Sequence, residues 1–341
     1  MSNIVTFGEI MLRLSPPGKL RFAQAENFDA TYGGAEANVA VSLAELGMNS
    51  YYVSSVPNND IGLKALQTLR KYGVYTDFII KDGDRLGIYF LENGASLRSS
   101  NVIYDRAGSS ICQMAPDAIN WSELFKQQDW FHWSGITPAL GKLPAEAVKQ
   151  ACKAAKESGL TVSCDLNFRS KLWTAKEARQ VMVPLMDYVD VCIANKEHAE
   201  KCLGFDTESI GNSDNRVEHA RSVSRALKKE FNFQSVVMTL RETFSASRCG
   251  WSAVLHDDKD CKKPVRSTRY EFDIVDRVGA GDAFAAGLIY GLLNIENSKD
   301  ALEFATAACC IKHSIHEEFN IVSVDEVQDL AKSGGGIDMK R

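Results

Sequence analysis

A chain of 341 residues, 45% of them apolar, has material for one large domain or two ordinary ones and for a sizeable core. Its 39 Lys and Arg stand against 44 Asp and Glu, a net charge of −5 without a long block of either sign, which argues against a dedicated nucleic-acid binder. Nine cysteines, an odd number with no C-x-x-C pair, suggest neither a disulfide framework nor a structural zinc site, and no stretch approaches the roughly 18 apolar residues of a membrane span. The opening residues lack a basic region followed by an apolar run, so the expectation is a cytoplasmic protein with reduced, buried cysteines.

In chain order, apolar bursts of strand length alternate with helical patterns. Residues 4–7 precede a helical run at 35–46, and residues 51–56 precede another at 61–72. Further bursts lie at 130–133, 161–164, 189–194 and 236–239, most of them followed by a helical stretch. This alternation predicts a three-layer α/β/α domain with a mainly parallel sheet covered on both faces. Gly47, Gly73 and Gly159 stand just past amphipathic runs as stop signals, and Pro144 opens the run to Glu157.

Two regions break the rhythm. Residues 11–32 hold short strand-like pieces around Pro16-Pro17-Gly18, and residues 78–106 alternate in the strand manner around Gly83 and the Asn93-Gly94 turn signal. Both read as antiparallel. Neither is long enough for an independent domain, so together they predict a small β lid inserted into one domain spanning residues 1–333; an edge hairpin without a role is the alternative. Arg248–Arg269 reads as an irregular hairpin with an exposed turn at 257–260, and residues 334–341 read as a flexible tail.

The sharpest chemical signal is Asp276-Arg-Val-Gly279-Ala280-Gly281-Asp282, where two glycines and an acid open a long apolar helical run. Converging N–H groups at a helix N-terminus form an anion site suited to phosphoryl oxygens, and Asp282 in the first turn can accept the proton of an attacking hydroxyl. The competing reading is an aspartate that caps the helix. Gly33-Gly34 opens a second helix, with Asn38 one turn in, offering a donor and an acceptor to a polyhydroxylated ligand; packing alone also explains such a pair. There is no G-x-x-x-x-G-K-[ST] phosphate loop and no H-E-x-x-H. His132, inside an apolar strand, reads as a buried core residue, and His313 has no role that its context assigns.

The order of these features, with the opening Ile4-Val-Thr-Phe-Gly8-Glu9, resembles the ribokinase-type (PfkB) carbohydrate kinases over essentially the whole chain. That resemblance implies a ribokinase-like fold and ATP-dependent transfer of the γ-phosphoryl to a sugar hydroxyl, with Mg2+. A monovalent cation is left open. Gly87-Ile-Tyr89-Phe, Val102-Ile-Tyr104-Asp-Arg106, Asp165-Leu-Asn167-Phe-Arg169, Thr239-Leu-Arg241 and the run from Ala307 to His313 are similar to the family's 2-keto-3-deoxygluconate kinases. By this likeness Gly34, Tyr89, Tyr104, Arg106, Arg169 and Asp282 are substrate contacts. Asn195, Thr239, Arg241, Gly279, Gly281, Ala307 and Cys310 fall on the nucleotide side, and Ala280 completes the anion-binding turn.

Arg106 and Arg169 carry an independent chemical argument, because a sugar acid presents a carboxylate that favours a guanidinium. Taken singly, each arginine is equally well a solvated or ion-paired residue. The expected partners are a small sugar acid and ATP, in a homo-oligomer, with neither nucleic acid nor membrane. The rivals are a fructokinase or ribokinase acting on a neutral sugar and a non-catalytic sugar-binding regulator.

Three positions depart from the family pattern. His198 stands where relatives place the acid of an Asn-x-x-Glu motif, leaving Glu197 or Glu200 as substitutes in a water-mediated magnesium role. Arg241 stands where many relatives have glycine. Glu317-Glu318 replaces a Gly-Asp pair before Phe-Asn.

Overall fold

The computed structural model describes residues 1–210, 215–259 and 263–335. In chain order its elements are β1 (Asn3–Phe7), β2 (Met11–Ser15), β3 (Asp29–Gly33), α1 (Ala35–Glu45), β4 (Asn49–Val56), α2 (Asp60–Lys71), β5 (Ile79–Lys81), β6 (Gly87–Glu92) and β7 (Asn101–Asp105). There follow α3 (Ser110–Gln113), α4 (Trp121–Leu124), β8 (Trp130–Ser134), α5 (Ile136–Ala139), α6 (Lys142–Glu157), β9 (Thr161–Asp165), α7 (Ala175–Leu185), β10 (Val191–Ala194) and α8 (Lys196–Leu203). The remainder supplies α9 (Arg216–Phe231), β11 (Ser235–Ser245), β12 (Arg248–Asp257), β13 (Val265–Arg266), β14 (Tyr270–Asp273), α10 (Ala280–Asn294), α11 (Ser298–Lys312) and α12 (Val324–Ser333).

The large sheet runs β5-β4-β1-β8-β9-β10-β11 with every pair parallel, and β12 extends it antiparallel, followed by β13 and β14. Its strands are apolar at successive positions because both faces are buried. Ile4, Trp130, Val191 and Val237 pack with residues of α1, α10 and α11, whereas their neighbours Val5, Phe131, Cys192 and Val236 pack with α6, α7, α8 and α9. Gly287 and Gly291 let α10 lie close on α11, since a Cβ at either would come within 2.9 Å of Ala305 or Ala301. This packing holds the start of α10 at the sheet's carboxyl edge.

Gly47, Gly73 and Gly159 all take left-handed backbone just past their helices, as expected from sequence. His132 is buried, 2.8 Å from Ser163 Oγ, and burial takes its pKa down to about 3. The eight described cysteines are all free, and only Cys112 is not fully buried. Among the described residues no helix is long and apolar enough to cross a membrane.

A second sheet, β3-β2-β6-β7, forms from the two inserts and corrects three expectations. The inserts are antiparallel only within themselves: β2 and β6 join in parallel, because the chain crosses over through α1, β4, α2 and β5 before returning. Residues 79–81 leave the lid and pair with β4 at the edge of the large sheet. Asn93-Gly94 is no two-residue turn but the start of the loop between β6 and β7, where Gly94 N–H donates to Ser100 Oγ at 3.0 Å.

The hairpin expected over Arg248–Arg269 is present, with β12 pairing antiparallel with two-residue β13, but its first arm β12 is not irregular. It is one long strand paired with β11 through nearly its whole length, and Asp257 is buried, accepting from Ser235 Oγ at 2.7 Å and from Ser298 Oγ. Of the expected turn at 257–260, residue 260 lies outside the described residues. Of the expected tail, Gly334 ends α12 in left-handed backbone, and residues 336–341 lie outside the described residues.

Candidate active site

A cleft of about 900 Å3 opens at the carboxyl ends of β1, β8, β9, β10 and β11, under Met11, Tyr89, Val102 and Tyr104 of the small sheet. The order of the large sheet reverses between β1 and β8, and ligands of open α/β sheets bind at such a switch point.

Asp282 lies in the first turn of α10 and lines this cleft. Gly279 is the N-cap of that helix in left-handed backbone (φ 81°), and no side chain caps the helix, so its leading N–H groups are open to an anion. A Cβ at Gly279 would meet the Glu318 carbonyl oxygen at 2.1 Å, whereas a Cβ at Gly281 would have nothing within 4 Å. Ala280 is buried beneath the turn. Asn38 Nδ2 donates to Asp282 Oδ2 at 2.7 Å and to Glu318 Oε2 at 3.0 Å, tying the two glycine-bordered helix starts together. Burial raises the Asp282 pKa to about 6, against the hydrogen bond from Asn38 and the positive fields of Arg169 and Lys312. A carboxylate poised near neutrality suits a general base. The capping role is not seen: the Asp282 carboxylate is engaged by Asn38 across the site.

Gly33 and Gly34 are both demanded by packing. A Cβ at Gly34 would lie 1.9 Å from the Glu9 carbonyl oxygen, and one at Gly33 would run into the Glu318 carboxylate at 2.3 Å. Gly34 and Asn38 nevertheless line the cleft.

The two arginines differ. Arg106 is buried, and its Nε donates to Glu9 Oε2 at 2.8 Å while its Nη2 pairs with the same oxygen. Ser109 Oγ donates to the other Glu9 oxygen at 2.5 Å. Arg169, half-buried at the cleft, donates from Nη1 to the Phe168 carbonyl at 3.2 Å, and no salt bridge engages it among the described residues. Tyr89 and Tyr104 pack with ring centroids 5.9 Å apart, Arg106 lies 5.3 Å from the Tyr104 ring, and the buried Tyr89 hydroxyl has no partner.

Toward the far end of the cleft lie Asn195, Glu197, His198, Arg216, Thr239, Arg241 and Arg277. Asn195 caps α8, its side chain accepting from the His198 N–H at 2.8 Å. Burial, aided by Arg169 and Arg241, takes the His198 pKa down to about 3, so it stands there as a neutral ring. Thr239 Oγ1 donates to the Ala194 carbonyl at 3.3 Å. Ala307 and Cys310 do not line the cleft. Ala307 packs with Leu46, Phe304 and Val327 and Cys310 packs in the core beside α10, and the cleft touches this part of the chain at His313.

The chemistry of the donors fits a magnesium ion that arrives with phosphate. No group of three His, Cys, Asp or Glu that could hold a metal occurs among the described residues, and Mg2+ commonly uses one or two carboxylates with substrate phosphates and water. Asn195 and Glu197 reach the cleft; Glu200 instead accepts from Thr207 Oγ1 and does not line it.

Sequence reasoning gave no role to a set of buried acids. Glu36 accepts from Ser134 N–H (3.0 Å), Ser134 Oγ (2.7 Å) and Thr137 Oγ1 (2.8 Å), and burial takes its pKa to about 7. Asp165, at the end of β9, is raised to about 7 by burial and by the charge of Asp282. Glu318 is buried with one carboxylate oxygen unpartnered. Glu9 and Asp165 both stand inside quoted motifs, and only the fold reveals that they face the cleft.

A family model for pfkB family carbohydrate kinases matches residues 1–316. A 2-dehydro-3-deoxygalactonokinase of Haloferax volcanii is 33% identical over 338 residues, covering 99% of both chains. A 5-dehydro-2-deoxygluconokinase of Geobacillus thermodenitrificans is 27% identical over 85% of this chain and 80% of its own. The crystal structure of a 2-dehydro-3-deoxygluconokinase from Thermotoga maritima superposes with a TM-score of 0.93 at 49% identity, covering 97% of this chain and all of that one.

Proposed function

The chain belongs to the pfkB family of carbohydrate kinases, and within it we propose that it phosphorylates 2-keto-3-deoxygluconate on the 6-hydroxyl, with ATP as donor. The observation that carries this reading is the meeting, in one cleft, of Asp282 at the uncapped start of α10 with an Arg169 guanidinium that no salt bridge engages among the described residues. The names of all three relatives denote kinases of keto-deoxy sugar acids, which supports an acceptor carrying a carboxylate.

In the proposed reaction the acceptor hydroxyl oxygen attacks the γ-phosphorus, its proton passes to Asp282, and the bond to the β-phosphate oxygen breaks to release ADP. The empty space beside Gly281 admits the phosphoryl oxygens, whose growing charge the α10 N–H groups meet. Arg169 holds the substrate carboxylate at the other end of the sugar. Mg2+, when bound, neutralises phosphate charge, and Asn195 and Glu197 are the groups that would hold it. Arg106, committed to Glu9, favours a second reading in which the acceptor is a neutral sugar such as fructose or ribose. An intact Asp282 with a pKa near 6 speaks against a non-catalytic sugar-binding regulator.

ADP release measured with 2-keto-3-deoxygluconate, its galactonate epimer, fructose, ribose and no sugar decides among these. The expected result is release with the sugar acids at least tenfold above the neutral sugars. Equal turnover of fructose and the acids overturns the substrate assignment, and no turnover with any sugar overturns the catalytic one.

A further inference from the structure

Lys312 ends α11 with 0% exposure, an uncommon place for an ammonium. Its Nζ donates to the Ile315 carbonyl at 3.1 Å. A helix C-terminus favours a cation, but a buried ammonium needs carboxylate compensation as well. The carboxylates in its field are Asp276 and Asp282.

The backbone joins Lys312 to the catalytic turn. The N–H groups of Val275 and Asp276 donate to the His313 carbonyl at 2.8 and 3.3 Å, and Asp276 Oδ1 accepts from the Val278 N–H at 3.0 Å. On its other side Asp276 pairs with Arg13 of β2 at 2.7 Å, both side chains almost fully buried. Lid strand, turn and the end of α11 therefore meet at Asp276, the strand through its carboxylate and α11 through its backbone N–H.

Resting on the assignment of Asp282 as base, we propose that Lys312 is a positioning residue. Its buried ammonium closes the end of α11 through the Ile315 carbonyl, and that helix end, bonded to Val275 and Asp276, fixes the turn that carries Gly279, Gly281 and Asp282.

Burial lowers the Lys312 pKa to about 8, and burial raises that of Asp282 to about 6. Asp282 must have lost its proton and Lys312 must have kept its own, so the rate rises through pH 6 and falls through pH 8. Asp282 is also faced by Asn38 and Glu36 of α1, Asp165 at the end of β9, Arg169 after it, and Glu318. Lys312 is faced by Arg13, Asp276, Cys309 and His313.

The test is the pH profile of kcat at saturating substrates for wild type, Lys312→Arg, Lys312→Met and Asp276→Asn. Lys312→Arg, charged throughout, loses the high-pH limb. Lys312→Met moves the acid limb upward by about half a unit or more and lowers the plateau roughly tenfold. Asp276→Asn, which leaves the lysine in place without its carboxylate, moves the high-pH limb down. Should the variants fail to fold, the wild-type profile decides: a fall through pH 8 supports the assignment, and a rate that stays level to about pH 10 overturns it. A wild-type profile without an acid limb overturns the base assignment; an acid limb present, with both limbs unmoved in the folded variants, overturns the Lys312 assignment only.

Discussion

The two glycine-bordered helix starts look alike in sequence, and they keep their glycines for different reasons. At Gly33 and Gly34 an added Cβ would meet the Glu318 carboxylate and the Glu9 carbonyl, and at Gly279 it would meet the Glu318 backbone. At Gly281 nothing stands within 4 Å. Three of the four glycines are accounted for by protein packed against protein. The fourth faces open space beside Asp282, where the proposed reaction puts the phosphoryl group.

The largest effect expected from that contrast is at Asp282. Asp282→Asn keeps the size of the side chain but cannot take a proton, and general-base help is worth about 10² to 10⁴ in rate. Its kcat falls at least a hundredfold, to about 1% of wild type or less, while thermal midpoint and ATP affinity change little. A near-normal kcat makes Asp282 structural, like its counterparts at the other helix start.

Next come the arginines, which extend the same contrast between packing and ligand. Arg169→Ala raises KM for the sugar acid by the loss of one charge-assisted contact, about 1.5 to 3 kcal/mol, with KM for ATP nearly unchanged and the fold intact. Arg106→Ala leaves Glu9 buried without its cation and lowers stability by about 3 to 5 kcal/mol. Two variants with the same KM increase and the same melting temperature contradict the division of labour between them.

A smaller effect concerns the second sheet, whose Met11, Tyr89, Val102 and Tyr104 roof the cleft. If this sheet closes on the sugar, saturating sugar acid slows hydrogen exchange in residues 12–32 and 86–106. Unchanged exchange there reduces the lid to a fixed wall.

The fold was legible where physics is local. Strands buried on both faces read as short continuous apolar runs, and glycines in left-handed backbone mark helix ends; β1, β4, β8, β9, β10 and β11 were all visible in this way. Three-residue β5 is too short to show a period, and whether it joins the lid or the large sheet depends on β4, far back in the chain. Asp282, the proposed base, and its glycines form one local motif that the sequence shows without the fold. Glu9 with Arg106, Arg13 with Asp276, and Asn38 with Glu318 are pairings between distant segments, and no spacing in the sequence encodes them. Hence Arg106 and Arg169 looked equivalent until the fold gave Arg106 an ion pair with Glu9 and, among the described residues, gave Arg169 none.

The most direct test of the contrast is a pair of alanines, Gly34→Ala and Gly281→Ala, each measured for thermal midpoint and for kcat/KM with ATP. Overpacking against Glu9 makes Gly34→Ala less stable by about 1 to 3 kcal/mol. Gly281→Ala, in a helix with room around it, is as stable as wild type or gains about 0.4 to 1 kcal/mol, yet loses at least about tenfold in kcat/KM because its methyl group fills the phosphoryl space. A Gly281→Ala protein with full activity would contradict the account, since the open space at the start of α10 would then have no ligand to admit.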